Sequence, residues 1–390
     1  MIKDNCQKRS CKKALDNELI KVLLEIEDTF IAISATDARI ELYKLIVCRF
    51  YQIKYSILVD SFSQLEQCLI KATTNWPNLS LDSSFSVTGT VCFESFKKLE
   101  RFDITKTDFS VIEYVFEYLS TVSSKGNKGQ FFTPRYVIKE LIKPISLEND
   151  MQYIADPACG SGGFLSMISR YSNKKQLLFG FDYDSFAIKT AKLSSVLMEA
   201  DINYLQIDSL NKNDNLLFNN NTICIEDYMK TKIKNFSGFD IIATNPPFGG
   251  LIKEKKIIQN FSITNGKNST RDILFIERCF DLLKEQGKLI IVLPNSFFVD
   301  SSLEFQRKWL LTHFKVHGII SLHQDTFLPH THQKTSVIFA TKRYCKEIPQ
   351  NDEIIFAISE KAGKDSKGKY IYMNTNIDTD LSEAMSKIHF

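Results

Sequence analysis

No apolar run in this chain approaches the roughly 20 residues that cross a bilayer; the longest, such as "KLIIVLP" at 288–294, are far shorter. The first residues, "MIKDNCQKRSCKK", lack the apolar stretch of a secretory signal. A membrane protein is not expected, and the chain reads as cytoplasmic. There is no C-x-x-C pair, and the nine cysteines, at 6, 11, 48, 68, 92, 159, 224, 279 and 345, are odd in number and scattered. That argues against a disulfide framework or a zinc site and for free thiols. An excess of one charge is missing too. The formal net charge is +3, well short of the strongly basic balance that announces nucleic-acid binding. "KRSCKK" and "IKEKK", the latter at 252–256, are the local basic clusters, and each reads most simply as a solvated face or a frayed end. His313, His317, His323, His330 and His332 follow no regular ligand spacing, so no metal is expected. No internal repeat is visible.

Glycine is absent before Gly89, and that absence marks the organisation. Residues 14–72 place apolar side chains at helical spacing, as in "LIKVLLEIEDTFIAI" and "ARIELYKLIVCRFYQIKYSILV". Turn formers at 75–90 read as a loop, with further helix through "DFSVIEYVFEYLS". Glycine first becomes dense at "SSKGNKG", 123–129, where a boundary is expected. Beyond it, short apolar strands alternate with helices: "YIADPA", "QLLFGFD", "NYLQID", "FDIIATN", "KLIIVLP", "VHGIISL" and "TSVIFATK". Such alternation predicts an α/β fold with a doubly wound, mostly parallel sheet. The expected division is a helical domain over 1–122, a catalytic domain over 123–345 and a polar tail over 346–390. An Asn-rich stretch at 211–221 reads as a surface insertion.

The residues present point to chemistry at the strand ends. "IADPACGSGGFL", 154–165, sets Asp156 at a strand end, then Gly160, Gly162 and Gly163 before an apolar helix. Glycines let backbone approach a ligand closely, and the following helix presents its N–H groups. An acid at the position of Asp156 would repel a pyrophosphate and suits a ligand with a cationic amine. Alone, such a turn is as readily structural as functional. "LLFGFDYD" then ends in Asp182, 22 residues after Gly160, near the offset of about 20 at which an acid holds a ribose diol. Asp208, after "YLQI", is placed to accept a hydrogen bond from an adenine amine. Three acids closing three successive strands fit one adenosine-bearing cofactor.

A fourth strand runs into Asn245, Pro246, Pro247 and Phe248. Neither proline can donate a backbone hydrogen bond, and each restricts the residue before it, so the segment is rigid. The amide oxygen of Asn245 and the carbonyl of Pro246 can accept both hydrogens of a planar amine, localising its lone pair, and Phe248 offers a flat face to an extruded base.

With these motifs the chain resembles the S-adenosylmethionine-dependent N6-adenine DNA methyltransferases, most closely the modification subunits of type I restriction systems. "DPACGSGGFL" and "NPPFGG" match that family's cofactor and catalytic motifs in order. "GNKGQFFTPRYVIKELI", 126–142, is similar to its upstream element, and "DTFLPHTHQKTSVIFATK", 325–342, to its late strand signature; the resemblance runs over about 102–345. It implies a Rossmann-like methyltransferase fold with a helical N-terminal domain. It also implies cofactor contacts from Gln130, Phe131, Phe132, Thr133, Pro134 and Arg135 and from Ser161, Gly162 and Gly163, a ribose contact from Asp182, and a base pocket at Asn245 to Phe248. The family usually carries Glu where this chain has the shorter Asp182. Expected partners are double-stranded DNA, a specificity subunit and a restriction subunit.

The implied reaction needs neither a metal nor a covalent intermediate: adenine is extruded, aligned with the sulfonium methyl and polarised. Its proton leaves to water, with no side chain assigned as base. Other readings stay open at this point. Asn-Pro-Pro-aromatic also occurs in enzymes methylating RNA or protein glutamine, which makes "GQFFTP" the more discriminating element. A non-catalytic DNA-binding assembly subunit is opposed by the intact Asn245 to Phe248. A self-contained restriction enzyme lacks a nucleotide-triphosphate loop, since "NGKNST" at 265–270 fails at Asn268.

Overall fold

A computed structural model describes residues 2–33, 37–105, 111, 133–145, 147, 151–171, 176–212, 224–329, 331–344, 352–373 and 376–388, with side chains from residue 17 onward. Gln130, Phe131 and Phe132, the expected boundary at 122/123, the helix over "DFSVIEYVFEYLS" apart from Val111, and most of the Asn-rich stretch lie outside the described residues. The chain divides into two compact units, Met1–Lys125 with Lys192–Ala200, and Gly126–Ala191 with Asp201–Phe390.

The first unit is helical: α1 (Ile2–Ala32), α2 (Ala38–Tyr55), α3 (Phe62–Asn75) and α4 (Gly89–Glu100). Asp37 caps α2, accepting from the backbone N–H of Arg39 at 3.1 Å, and the Ser61 hydroxyl caps α3 through Gln64 N–H at 3.3 Å. Helix α2 is buried along most of its length, including Leu42, Tyr43, Leu45, Ile46 and Cys48. That marks it as the helix the others pack around. A buried ion pair within it, Lys44 to Glu41 at 2.7 Å, also holds the loop before α4: Lys44 donates to Ser84 O at 2.7 Å, and Glu41 accepts from Ser86 N–H at 3.0 Å. Each buried charge therefore has partners.

In the second unit the strands are β1 (Gln152–Asp156), β2 (Gln176–Asp182), β3 (Ile202–Gln206), β4 (Phe239–Thr244), β5 (Leu283–Pro294), β6 (Phe314–Ser321), β7 (Thr335–Lys342) and β8 (Ile355–Ile358). They form one sheet in the order β8-β6-β7-β5-β4-β1-β2-β3. Only β7 runs antiparallel to its neighbours; the other pairs are parallel. All seven segments read as strands from the sequence are strands here, β5 beginning five residues earlier than "KLIIVLP". The polar tail supplies the edge strand β8, beside β6.

The strands are apolar on both faces, as buried parallel strands must be. Helix α5 (Arg135–Leu141) packs on α6 (Gly163–Ser169), which in turn lies on the strands β1 to β4. Next come α7 (Ser185–Leu197), α8 (Ile225–Lys232), α9 (Arg271–Leu282) and α10 (Glu304–His313). Residues from α8, α9 and α10, among them Met229, Leu274, Phe280 and Trp309, share one core with Ala155, Phe181, Ile242, Leu289 and Ile291. Their strand neighbours Ile154, Leu178, Ile241 and Ile290 are equally buried and, by the alternation of a strand, point the other way.

This topology fixes where a ligand can sit. From β1 the chain moves outward to β2 and β3, then returns to β4 on the other side of β1. The carboxyl ends of β1 and β4 therefore flank the point where the strand order reverses, where open α/β sheets bind ligands.

Candidate functional site

Three acids and the Asn-Pro-Pro-Phe segment stand at the carboxyl ends of four adjacent strands, β4, β1, β2 and β3. Asp156 ends β1, Asp182 ends β2, Asp208 follows β3 by two residues and Asn245 follows β4 directly. Parallel register puts Asp156 beside Gly180 and Asp182 beside Gln206, so these ends lie on one side of the sheet.

The turn after β1 is held by its own backbone. Asp156 accepts from Ala158 N–H at 3.1 Å, Cys159 N–H donates to Phe181 O at 2.9 Å, and Gly162 N–H donates to Cys159 O at 2.8 Å. Glycine at 162 is required twice over. Its φ is +86°, and an added Cβ would lie 2.3 Å from the Tyr204 hydroxyl oxygen. Tyr204, on β3, also donates to Gly162 O at 3.3 Å. Ser161 is buried, and Gly163 lies against Ile138 of α5, whose Cδ1 would be 3.0 Å from an added Cβ. Thr133, Pro134 and Arg135 therefore lead into a helix packed on the glycine turn, Pro134 being its N-cap.

The carboxylates differ in what they face. Asp156 is 1% exposed, and burial pushes its pKa up to about 7, opposed by the Thr244 hydroxyl and Ala158 N–H and reinforced by the Asp182 charge. Asp182 is 8% exposed and is pushed up to about 6 by burial, against the amides of Asp184 and Gly160. Its two oxygens accept from Gly160 N–H and Asp184 N–H, each at 2.9 Å. The short side chain is thus drawn onto the glycine turn, with lone pairs left for a further donor. Half-buried Asp208 accepts from Leu210 N–H at 3.0 Å; burial raises its pKa, and Arg271 and Arg278 pull it back.

Behind Asp208 stands a brace that the sequence reading missed. Arg278 of α9 is 0% exposed and donates to both carboxylate oxygens of Glu226 and to the carbonyls of Ser209 and Asn211. The Ser209 hydroxyl donates to Pro157 O at 2.5 Å. One buried guanidinium therefore links the Asp208 loop, α8 and, through Ser209, the turn after Asp156.

Pro246 is buried, while Asn245, Pro247 and Phe248 are half-buried. The segment ends on Gly249 and Gly250, both at φ +70°. Gly249 N–H donates to the Asp272 carboxylate at 3.2 Å, and Arg271 N–H to Gly249 O at 3.3 Å, so the first turn of α9 clamps it. The Phe248 ring meets Phe327 edge-on, centroids 6.4 Å apart. Phe327 is a second residue the sequence reading passed over, though it lies inside the late signature quoted above. Its loop is held by Lys364 of the tail, whose ammonium donates to Thr326 O at 2.9 Å and Leu328 O at 2.7 Å. No pattern in the sequence connects a tail lysine to that loop.

The sequence profile described as N-6 DNA Methylase matches residues 108–384. The methylase subunit of the type I restriction enzyme EcoEI of Escherichia coli is 29% identical over 266 residues, 65% of this chain and 51% of that protein. The StySPI methylase subunit of Salmonella potsdam is 27% identical over 225 residues, 56% of this chain and 41% of that protein. The chain thus spans about half the length of these curated relatives or less. The crystal structure of a type I restriction-modification methyltransferase subunit from Streptococcus thermophilus superposes with a TM-score of 0.62 at 16% identity, over 95% of this chain and 93% of that one.

Proposed function

The chain belongs to the N-6 DNA methylase family, and from that membership we infer that it transfers a methyl group from S-adenosylmethionine to the N6 amine of an adenine extruded from DNA. The observation that carries the reading is the junction of β4 with β1. β4 lies parallel to β1, Ile154 beside Ile241 and Ala155 beside Ile242, so the glycine turn that follows Asp156 and the Asn-Pro-Pro-Phe segment that follows Thr244 leave adjacent strand ends.

The residues fit the cofactor. Three acids at the strand ends, each pushed toward the neutral form by burial, supply the negative field that a cationic ligand offsets. Gly162, with φ +86° and Tyr204 where a Cβ would stand, fixes the course of the turn that forms the cradle. When bound, S-adenosylmethionine supplies a methyl group already activated by its sulfonium. Gly160, Ser161, Gly162 and Gly163 line its cradle, with Asp156 beneath. Asp182 takes the ribose diol, Asp208 the adenine amine, and Thr133 to Arg135, leading into α5, the methionine end.

Asn245 and the Pro246 carbonyl accept the two hydrogens of the target amine, concentrating its lone pair toward the methyl. Phe248 stacks on the extruded base, and the two prolines hold both groups in line. The proton leaves to water.

The relatives are named as subunits of type I restriction enzymes, which supports a modification-subunit role alongside a specificity subunit and a restriction subunit. Among the described residues no helix is long and apolar enough to cross a membrane, and six cysteines are buried free thiols, in keeping with work in the cytoplasm. The test is transfer of labelled methyl from S-adenosylmethionine to unmethylated genomic DNA, with RNA and protein extract in parallel. N6-methyladenine in the DNA is the expected product. Label in RNA or protein instead overturns the substrate.

A further inference from the structure

Between Gly250 and Arg271 the chain makes a closed excursion. Leu251–Ile252 pairs antiparallel with Ser269–Thr270 at its base. Its inner side is buried through Ile258, Phe261 and Ile263 and braced from three directions. The Lys212 ammonium sits 3.9 Å from the Phe261 ring centroid and donates to Asn260 O at 3.0 Å. Glu277 accepts from Ile263 N–H at 2.7 Å and from the Ser262 hydroxyl at 3.1 Å. From α10, Trp309 donates to the Ser262 hydroxyl at 2.9 Å, and the Gln306 amide to Ile263 O at 3.1 Å.

The outer side is different in kind. Lys253, Lys255, Lys256 and Lys267 are all exposed, and the only carboxylate between 253 and 268 is Glu254. Four lysines against one glutamate give this stretch a formal charge of +3. Among the described residues none of the four lysines is paired with an acid; the salt bridges of α9 and its neighbourhood involve Lys212 and Arg278 instead. A solvated lysine on a loose loop needs no explanation. Four uncompensated lysines on a loop anchored by a buried glutamate, a cation–π contact and two side chains of α10 present fixed positive charge.

Their position gives that charge a use. Lys253 follows Phe248 by five residues, a reach of at most about 18 Å, or roughly five phosphate steps along one DNA strand. We propose that Lys253, Lys255, Lys256 and Lys267 form a lip that docks the phosphate backbone of duplex DNA beside the extruded adenine. The proposal rests on the adenine-methyltransferase reading above. It adds where the duplex is gripped: phosphate contacts position without reading sequence, which suits a subunit whose base recognition lies elsewhere.

The test compares the full chain with a variant carrying K253Q, K255Q, K256Q and K267Q. Binding of a fluorescein-labelled duplex is followed by anisotropy from 50 to 200 mM salt. The slope of log affinity against log salt should be shallower in the variant by about 0.9 for each lysine that meets a phosphate, up to about 3.6. The four-arginine counterpart should keep the original slope, and S-adenosylmethionine affinity by calorimetry should be the same in all three. An unchanged slope in the glutamine variant overturns the lip, as does failure of the unaltered chain to bind duplex or its preference for an RNA competitor. N6-methyladenine formation by the unaltered chain, measured in parallel, separates the two ideas. With methylation intact and the slope unchanged, only the lip falls; with no methyl acceptor in DNA, the adenine reading falls as well.

Discussion

Asn245 follows β4 and Asp156 ends the neighbouring β1, and their substitutions should separate chemistry from binding. Asn245→Ala removes an acceptor for the target amine without touching the glycine turn. Its methyl-transfer rate should fall by at least about 100-fold, the scale at which lost alignment is felt, while S-adenosylmethionine affinity stays within about threefold. An active mutant would remove Asn245 from the pocket. Asp156 makes a pH prediction. Its pKa in the fold, about 7, lies above its ordinary value of 3.8 because of burial. A raised carboxyl favours the fold fully below the ordinary pKa and loses that contribution as pH rises through the folded one. Asp156→Asn keeps an acceptor for Ala158 N–H and removes the ionisation. It should raise stability at pH 8 by something on the order of 2–4 kcal/mol, with the gain vanishing near pH 4. Denaturant midpoints at the two pH values check the sign. A variant equally stabilised at both would show that burial of charge is not the cause.

At the scale of elements, the site depends on α9, whose inner face carries Arg278. Removing one partner of a buried ion pair costs about 3–5 kcal/mol because the other charge is stranded. Arg278→Met should therefore destabilise by that amount, and the double variant with Glu226→Gln should recover part of it, measured as a double-mutant cycle in denaturant. Equal losses in the single and double variants would mean that the carbonyls of Ser209 and Asn211, not Glu226, are what the guanidinium serves. This brace also shows what the sequence exposed and what it hid. The first five strands were legible because each is a short apolar run ended by Asp, Asn or Pro, and the carboxyl ends of four of them located Asp156, Asp182, Asp208 and Asn245. Arg278 was not legible, because in "LFIERCF" it reads as one more charge on an amphipathic helix. Lys364 reaches carbonyls 36 and 38 residues away, and Tyr204 explains Gly162 only once β3 lies beside β2. Contacts set by strand order carry no local pattern. The short Asp182 was visible as a departure from the resembled family, but its hold on Gly160 N–H was not.

The whole molecule divides close to where its sequence changes character, with one later segment joined to the first unit. Composition shifts from helical and glycine-free to strand-rich near residue 123, yet the first compact unit includes Lys192–Ala200. That segment serves the helical core. Tyr43 is 0% exposed with its hydroxyl bonded to the Leu193 backbone, and Glu199 pairs with Lys54 of α2. A fragment ending at 125 therefore lacks part of its own unit and leaves the Tyr43 hydroxyl without that partner, a loss of about 1–3 kcal/mol if the hydroxyl stays buried. The chain holds two tryptophans, and they divide between the units. Trp76 lies against Phe50 and Tyr51 in the first, whereas Trp309 belongs to α10 in the second. With Trp309→Phe in the full chain, Trp76 fluorescence reports unfolding of the helical unit alone. Its denaturant midpoint should be higher in the full chain than in the 1–125 fragment, and joining residues 185–200 to that fragment through a flexible linker should restore part of the difference. Identical midpoints in the fragment with and without the added segment would place the boundary near residue 123 after all.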